Sequence, residues 1–230
     1  MPPDRLVTAA RRAGIGDVEL VTDPAAFSFT YGLFSPRVVL SSALLDHLGD
    51  GELDAVLTHE AFHVANRDPL KIAVARAVTA GLWFVPAAHH LLDGYLASRE
   101  LDADRRAAGR AGRNAVAAAI LRASTSTAAP HAASAVAAFG GPDLLEARVT
   151  QLETGKPPAL PPIGPRGRAI TVGWLGLLAI GAATTSVALG VPSILHAGGR
   201  MELSGAAACA AMWLVVALAL TSQRVRTTAA

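Results

Sequence analysis

Two histidines spaced four residues apart, His59 and His63, constrain the fold of this chain more than any other feature. On an α-helix, residues i and i+4 project from the same face, so the two imidazoles would lie one turn apart. Glu60, between them, would be rotated by about 100° from His59. Residues 51–58, just upstream, have the apolar periodicity of a helix. The sequence therefore predicts a helix here, whose paired imidazoles are typical of a tetrahedral metal site.

Two long uncharged segments near the C-terminus predict a membrane hairpin. Residues 169–191 and 203–221 contain no charged side chain over 23 and 19 positions. Each is long enough to cross a hydrocarbon core of about 30 Å at about 1.5 Å per residue. The alternative is a pair of buried core helices, although core helices of this length usually have a polar face. We therefore expect two transmembrane helices, with the lipid bilayer as a partner.

The charges that flank these segments predict their orientation. Lysine and arginine side chains precede the first segment and arginines follow the second, whereas the connection at residues 192–202 has Arg200 as its one fixed positive charge. The positive-inside rule then places both flanks in the cytoplasm. We therefore expect a multi-pass cell-membrane protein with its N-terminal domain on the cytoplasmic side and residues 222–230 as a cytoplasmic tail.

The overall composition excludes a role in nucleic-acid binding. The formal net charge is only +2, and no basic cluster is interleaved with aromatic residues. Nucleic-acid recognition needs concentrated positive charge, so we expect no nucleic-acid partner. The single cysteine, Cys209, can form no internal disulfide, which agrees with a reducing compartment.

The remaining pattern predicts an α+β, mainly helical fold. Short strands are expected at residues 18–22, 27–34 and 37–41, and helices through most of the rest. We expect one domain over residues 1–155 and a proline-rich linker over residues 156–168. Residues 70–92 are apolar but contain Arg76 and Pro86, which favours a membrane-surface or re-entrant helix over a full span. Gly94 is expected to end this segment before a charged helix at residues 95–111.

An open catalytic metal site needs a third protein ligand. Glu100 and Asp104 lie four apart and share one face of a charged helical segment. Glu100 could bind the metal while Asp104 accepts a hydrogen bond from the far nitrogen of a ligand histidine. An ordinary solvated helix face explains the two acids equally well. Rival third ligands are Asp68, Asp93, His89 and His90. Asp68 fits better as the N-cap of the following helix.

Two stretches carry a resemblance to a known family. They are FTYGLFSPRVVLS, residues 29–41, and HEAFHVANRDPL, residues 59–70. Together they resemble the integral-membrane zinc metallopeptidases of the antibiotic-sensor (BlaR/MecR-like) type and are similar to the HtpX-like and CAAX-prenyl-protease-like group. In both groups a strand and a leucine-rich helix precede the zinc helix, and a later Glu-x-x-x-Asp helix supplies the third ligand. Glu100 and Asp104 match that helix, and the resemblance covers roughly residues 15–155.

The resemblance implies a gluzincin-like zinc-peptidase domain with a small sheet. It implies one Zn²⁺ per chain, held by His59, His63 and Glu100, with Asp104 orienting a histidine. Glu60 would take a proton from the attacking water and later pass it to the leaving amine.

The sequence leaves open which group stabilises the oxyanion. Candidates for oxyanion or substrate contacts are Tyr31, Asn66 and Arg99. Residues 27–34 are a candidate for binding the substrate as an added β-strand, and an ordinary sheet strand is the alternative.

The predicted function is that of a membrane-bound zinc-dependent endopeptidase acting on a protein or peptide substrate. The alternative is a membrane sensor or transducer in which the zinc fold relays a signal or cleaves one regulatory partner. A structural membrane protein without catalysis is disfavoured, because Glu60 is intact.

Overall fold

The computed structural model describes residues 2–124, 142–159 and 162–188. This part of the chain is mainly helical and contains one small sheet, in agreement with the predicted α+β class. The strands are β1 (Val18–Val21), β2 (Ser28–Tyr31) and β3 (Arg37–Ser41). The helices are α1 (Asp4–Ala13), α2 (Ser42–His47), α3 (Asp50–Asn66), α4 (Asp68–Gly81), α5 (Pro86–Ala111), α6 (Arg113–Ser124), α7 (Pro142–Thr154) and α8 (Pro165–Ala188).

The sheet has the strand order β1-β3-β2, with β3 in the centre. β1 runs parallel to β3, with Val18 opposite Val38, and β2 runs antiparallel to it, with Thr30 also opposite Val38. β2 is therefore an edge strand of this sheet. The turn from β2 to β3 depends on Gly32, which has φ +94°, because a Cβ there would lie 2.6 Å from the carbonyl oxygen of Ser35.

Helix α3 is anchored between the sheet and the neighbouring helices. Leu53 and Leu57, one turn apart, are fully buried in a core that also contains Leu6 of α1, Leu40 of β3 and Leu44 of α2. Burying a leucine side chain stabilises a fold by roughly 1.5–3 kcal/mol. The first half of α3 is thus fixed by apolar packing, and its later turns, which carry the two histidines, are held in place as a result.

Helix α5 is longer than the sequence suggested. Gly94 was expected to end one helical segment before the next began, but α5 continues through it from Pro86 to Ala111. Leu96, Leu101 and Ala103 are buried along this helix. The apolar segment at residues 70–92 is divided between α4 and the start of α5, with a break after Gly81. Its membrane association remains a prediction.

The chain divides into two compact units. The first consists of residues 1–82 and 89–161 and contains the sheet, helices α1 to α4, most of α5, and helices α6 and α7. The second consists of residues 83–88 and 162–230, of which the structure describes 83–88 and 162–188. Within it, the Phe84 ring packs on Trp174 at a centroid distance of 4.9 Å, and the Ala87 N–H donates to Thr171 Oγ1.

The predicted transmembrane hairpin is wrong for the described residues. No helix among residues 2–124, 142–159 and 162–188 combines the length and the apolar character needed to cross a bilayer. Helix α8 begins with two arginines, Arg166 and Arg168, in its first turn, and glycine and threonine dilute its apolar residues. The second predicted span, residues 203–221, and the predicted tail, residues 222–230, lie outside the described residues.

Candidate metal centre

The later turns of α3 bring the two histidines together. His59 and His63 project from the same face, and their Nε2 atoms are 3.2 Å apart. The ring centroids are 4.9 Å apart, with the planes inclined at 70°. Both Nε2 atoms are thus presented to one small volume beside the helix.

Glu100, on α5, completes a set of three donors. Its Oε2 lies 3.4 Å from His59 Nε2, and its Oε1 lies 3.6 Å from His63 Nε2. All three ligand atoms lie within 4.8 Å of one another. Ligand atoms bound to one tetrahedral zinc at about 2.0–2.1 Å are about 3.3 Å apart. The donor types and their separations therefore fit a zinc ion with one remaining coordination position.

The first histidine is held by a set of residues from distant parts of the chain. His59 Nδ1–H donates to Asp104 Oδ1 at 3.0 Å, and Asp104 is completely buried. Arg148, on α7, donates to both oxygens of Asp104, from Nε at 2.7 Å and from Nη2 at 2.8 Å. Burial alone would raise the pKa of Asp104, but the hydrogen bonds from His59 and Arg148 hold it below its usual range. We call His59, Asp104 and Arg148 the Asp104 arm.

The second histidine has an analogous set. His63 Nδ1–H donates to Asp68 Oδ2 at 2.8 Å, and Arg99 Nε lies 3.1 Å from both oxygens of Asp68. Burial would raise the pKa of Asp68, but the hydrogen bonds from His63 and Arg99 lower it. Both aspartates are therefore ionised acceptors, which places the proton of each imidazole on Nδ1 and leaves Nε2 free to bind a metal. We call His63, Asp68 and Arg99 the Asp68 arm.

The sequence suggested that Asp68 caps α4, and this prediction is wrong. It is the first residue of that helix, and the N-cap is Arg67, which makes no side-chain capping bond. Arg67 is left-handed, with φ 52° and ψ 43°, and its N–H donates back to the carbonyl oxygens of His63 and Val64. This tight reversal between α3 and α4 returns the Asp68 carboxylate to the ring of His63.

Glu60 is held by strand β2. The side chain is 4% exposed, and each carboxylate oxygen accepts one hydroxyl hydrogen bond. Ser28 Oγ donates to Oε1 at 2.8 Å, and Thr30 Oγ1 donates to Oε2 at 2.8 Å. Because Ser28 and Thr30 are two apart on a strand, both hydroxyls point to the same side of the sheet.

The three candidates for oxyanion or substrate contacts lie in different settings. Tyr31 OH donates to Glu19 Oε2 at 2.8 Å on the exposed surface, and Asn66 Nδ2 donates to the carbonyl oxygen of Phe62 in the preceding turn of α3. These two hydrogen bonds go to groups outside the metal-binding set. Arg99 belongs to the Asp68 arm.

Arg99 has one further property that the other two candidates lack. Its guanidinium stacks on the ring of Phe62 at 4.6 Å from the centroid. Its Nη2 is buried without a hydrogen-bond partner among the described residues. It therefore contacts the aspartate that holds His63 and has one nitrogen left to donate.

Carboxylates outnumber guanidinium groups at the centre. Two guanidinium groups, those of Arg99 and Arg148, face four carboxylates, those of Glu60, Asp68, Glu100 and Asp104. With neutral imidazoles these groups are net negative, which favours the binding of a cation.

The pKa shifts at the ligands reflect the same excess of negative charge. Burial lowers the pKa of His59, but hydrogen bonds to Asp104 and Glu100 outweigh it and raise that pKa to about 10. Burial raises the pKa of Glu100, and the hydrogen bond and positive charge of His59 outweigh it and lower that pKa well below its usual range. A divalent cation would displace the proton from His59 Nε2 and would supply the positive charge that now stabilises Glu100.

Comparison with known proteins agrees with this geometry. A family model described as BlaR1 peptidase M56 matches residues 10–152. The chain belongs to the BlaR1 peptidase M56 family. The matched region includes both histidines, Glu60, Glu100 and both arms of the centre. The family membership confirms the resemblance inferred from the motifs.

Several curated relatives are HtpX proteases. The chain is 36% identical over 90 residues to Protease HtpX of Nitrosococcus oceani, covering 36% of this chain and 30% of the relative. It is 38% identical over 82 residues to the Protease HtpX homolog of Methanopyrus kandleri, covering 36% and 24%. It is 27% identical over 189 residues to Protease HtpX of Pseudoalteromonas atlantica, covering 65% and 64%. The chain thus spans less than two thirds of the length of these relatives. No solved structure matches the chain.

Proposed function

We propose that this chain is a zinc-dependent endopeptidase whose ion is held by His59, His63 and Glu100. The observation that carries the proposal is the convergence of two imidazoles and one carboxylate. The two Nε2 atoms are 3.2 Å apart, and Glu100 approaches His59 Nε2 with Oε2 at 3.4 Å and His63 Nε2 with Oε1 at 3.6 Å. Membership of a peptidase family gives the reaction class, hydrolysis of a peptide bond. Carboxylates that outnumber the guanidinium groups around these side chains also favour a cation.

Glu60 is proposed as the general base. A zinc ion at this centre would supply Lewis-acid chemistry, lowering the pKa of a water toward about 7 and polarising a peptide carbonyl. Glu60 follows His59 on α3, so its carboxylate lies beside the ligands without being one of them. It accepts a proton from the attacking water and returns it to the leaving amine, which allows one group to act as base and then as acid.

The two arms are proposed to orient the ligands. In each arm the ionised aspartate fixes the histidine tautomer with Nδ1 protonated, so that Nε2 faces the ion. Arg148 also lies 3.7 Å from Glu100 Oε2, so the same guanidinium contacts the acid of the arm and the carboxylate ligand. The geometry of the centre therefore depends on α3, α5 and α7 together.

A peptide substrate is proposed to bind along β2. In the described part of the chain β2 pairs with β3 on one side, and its other edge is free to pair with an extended peptide. Adding a strand to a sheet edge uses main-chain hydrogen bonds and reads little of the substrate sequence. Because β2 also contacts Glu60, a peptide bound there would lie close to the base. The membrane location, its cytoplasmic orientation and the alternative sensor role remain predictions.

The test is a comparison of zinc content and proteolysis in the purified chain. The wild-type protein should contain about one zinc per chain and cleave casein. Glu60→Gln should keep the zinc and lose cleavage, because the amide cannot accept the proton. Glu100→Ala should lose most of its zinc.

A matched control is Glu153→Gln, which makes the same chemical change at an exposed position of α7. It should leave zinc content and cleavage unchanged. Casein cleavage retained by Glu60→Gln would remove Glu60 from its role, and normal zinc content in Glu100→Ala would exclude Glu100 as a ligand.

A further inference from the structure

The side chains of β2 alternate between two chemically different faces. Ser28 and Thr30 point toward α3 and contact Glu60. Phe29 and Tyr31 form the other face, where the Phe29 ring stacks on Phe27 at 5.8 Å and lies 6.2 Å from the Tyr31 ring. The strand therefore presents two hydroxyls to the centre and an aromatic row to the opposite side.

We propose that Ser28 and Thr30 are positioning residues that fix the carboxylate of Glu60, so that the edge strand sets the orientation of the base. The inference rests on the proposed function and deepens it, since it concerns the same centre. It assigns a role to two residues that carry no charge and bind no metal.

Each carboxylate oxygen of Glu60 has its own hydroxyl donor at 2.8 Å, so the plane of the carboxylate is fixed at two points. Thr30 Oγ1 is also 3.3 Å from the main-chain carbonyl oxygen of Glu60, which ties the strand to the backbone of α3. A free glutamate side chain has several rotamers of similar energy, and holding one of them is what a reaction with a defined geometry requires.

The kind of donor distinguishes Glu60 from the other acids of the centre. Asp68, Asp104 and Glu100 each lie within 4.0 Å of a guanidinium group. In the described residues, the hydrogen bonds of the Glu60 carboxylate come from neutral hydroxyls. Neutral donors orient a carboxylate through hydrogen bonds alone, without forming an ion pair with it.

The same strand has the free sheet edge on which a peptide is proposed to bind. β2 is only four residues long, so its outer edge and its two hydroxyls belong to one short rigid segment. β2 would therefore position both the bound peptide, through its outer edge, and Glu60, through its two hydroxyls. A shift of the strand would move both together.

The experiment compares the zinc-loaded wild type with zinc-loaded Ser28→Ala, Thr30→Val and the double variant. It measures steady-state cleavage of a fluorogenic peptide that the wild type cleaves. Each single change should lower kcat about ten-fold and the double change about a hundred-fold, with KM within about two-fold of wild type. Zinc per chain should remain at the wild-type value. Ser28→Thr and Thr30→Ser keep the hydroxyl and should restore most of kcat. Ser42→Ala, which removes a part-buried hydroxyl that contacts Asp23, should leave kcat unchanged.

A second readout is independent of activity. In a double-mutant cycle followed by denaturant unfolding, Thr30→Val should lower the unfolding midpoint in the wild-type background and have much less effect in a Glu60→Ala background. Additive shifts in the midpoint would show that the two side chains are not coupled and would overturn the inference.

The kinetic outcomes separate this inference from the proposed function. Wild-type kcat in the double variant, or a raised KM with kcat unchanged, would overturn the positioning role while an inactive Glu60→Gln still supported Glu60 as the base. Normal cleavage by Glu60→Gln would overturn the proposed function itself, whatever the serine and threonine variants show.

Discussion

The two arms of the metal centre contain the same three groups but are built in different ways. In the Asp104 arm the aspartate is 45 residues from its histidine and 44 from its arginine, and the three side chains come from α3, α5 and α7. In the Asp68 arm the aspartate is five residues from its histidine, across one turn of chain. His63 thus has its aspartate close by in the chain, although Arg99 joins this arm from α5, 31 residues beyond Asp68. His59 has both of its partners in distant segments.

The arms also differ in the geometry of their ion pairs. Arg148 donates through two nitrogens at 2.7 and 2.8 Å, one to each oxygen of Asp104, whereas Arg99 approaches Asp68 through Nε alone at 3.1 Å. Two separate donors in a fork give a stronger and more directional contact than one shared donor. The Asp104 arm should therefore contribute more to stability, although both arms serve equivalent ligands.

The largest expected effect comes from removing the two carboxylates. Asp104→Ala should lower the free energy of unfolding by roughly 3–5 kcal/mol, because it leaves a buried guanidinium without its main partner. Asp68→Ala should lower it by less, because Arg99 keeps its contact with the ring of Phe62. Both free energies are measured by denaturant unfolding of the proteins after a chelator has removed the metal. Equal losses would show that the long-range arm is no stronger than the local one.

A smaller effect is expected on zinc affinity, and here the arms should be equal. Asp104→Asn and Asp68→Asn should each weaken zinc binding by about 10–100-fold, because a neutral amide holds the imidazole less firmly. Competition with a chromophoric chelator measures the affinity of each variant. A loss confined to one variant would show that only that histidine needs its aspartate.

The smallest effects on stability are expected from replacing Arg99 of the Asp68 arm and, as a surface control, Arg12. Arg99→Met keeps the apolar stem, removes the charge, and should lower the free energy of unfolding by about 1–1.5 kcal/mol. Arg12 bonds Asp54 at 2.8 Å, a shorter contact, but both side chains are substantially exposed. Arg12→Met should therefore change the same quantity by about 0.2–1 kcal/mol. A larger loss for Arg12→Met than for Arg99→Met would contradict burial as the deciding factor.

Local signals were enough to predict most of the elements. The bounds expected for β3 are those observed, and the helix expected around His59 and His63 is α3. Such boundaries are set by capping, proline and apolar periodicity within a few residues. The break expected at Gly94 was wrong because burial of the surrounding helix overrides the modest helix penalty of one glycine.

For the described residues, the transmembrane prediction was wrong because a count of uncharged length leaves out the arginines that open α8 and the low hydropathy of its small residues. Glycine, alanine and threonine lack charge but contribute much less to membrane insertion than leucine or isoleucine. The described part of α8 mixes both kinds of residue behind two arginines. A count of charged residues treats these side chains alike.

The parts of the centre that the sequence did not reveal are those set by folding. The spacing of His59 and His63 requires only a helix, so it was visible at once. Arg148 lies on an unremarkable helix far along the chain and gave no local signal. The hydroxyls of Ser28 and Thr30 alternate with aromatic residues in the sequence. This alternation places the two hydroxyls on one face of a strand, but it does not tell whether that face contacts water or a buried carboxylate.

Asp68 shows how one backbone angle decides what a side chain does. Arg67 turns through a left-handed conformation between α3 and α4. One residue added or removed at this junction would change the direction in which the Asp68 side chain leaves the backbone. The carboxylate would then point elsewhere and His63 would lose its partner. The length of this connection is therefore constrained by the 2.8 Å contact between His63 and Asp68, although the connecting residue itself touches neither the ring nor the carboxylate through a side-chain capping bond.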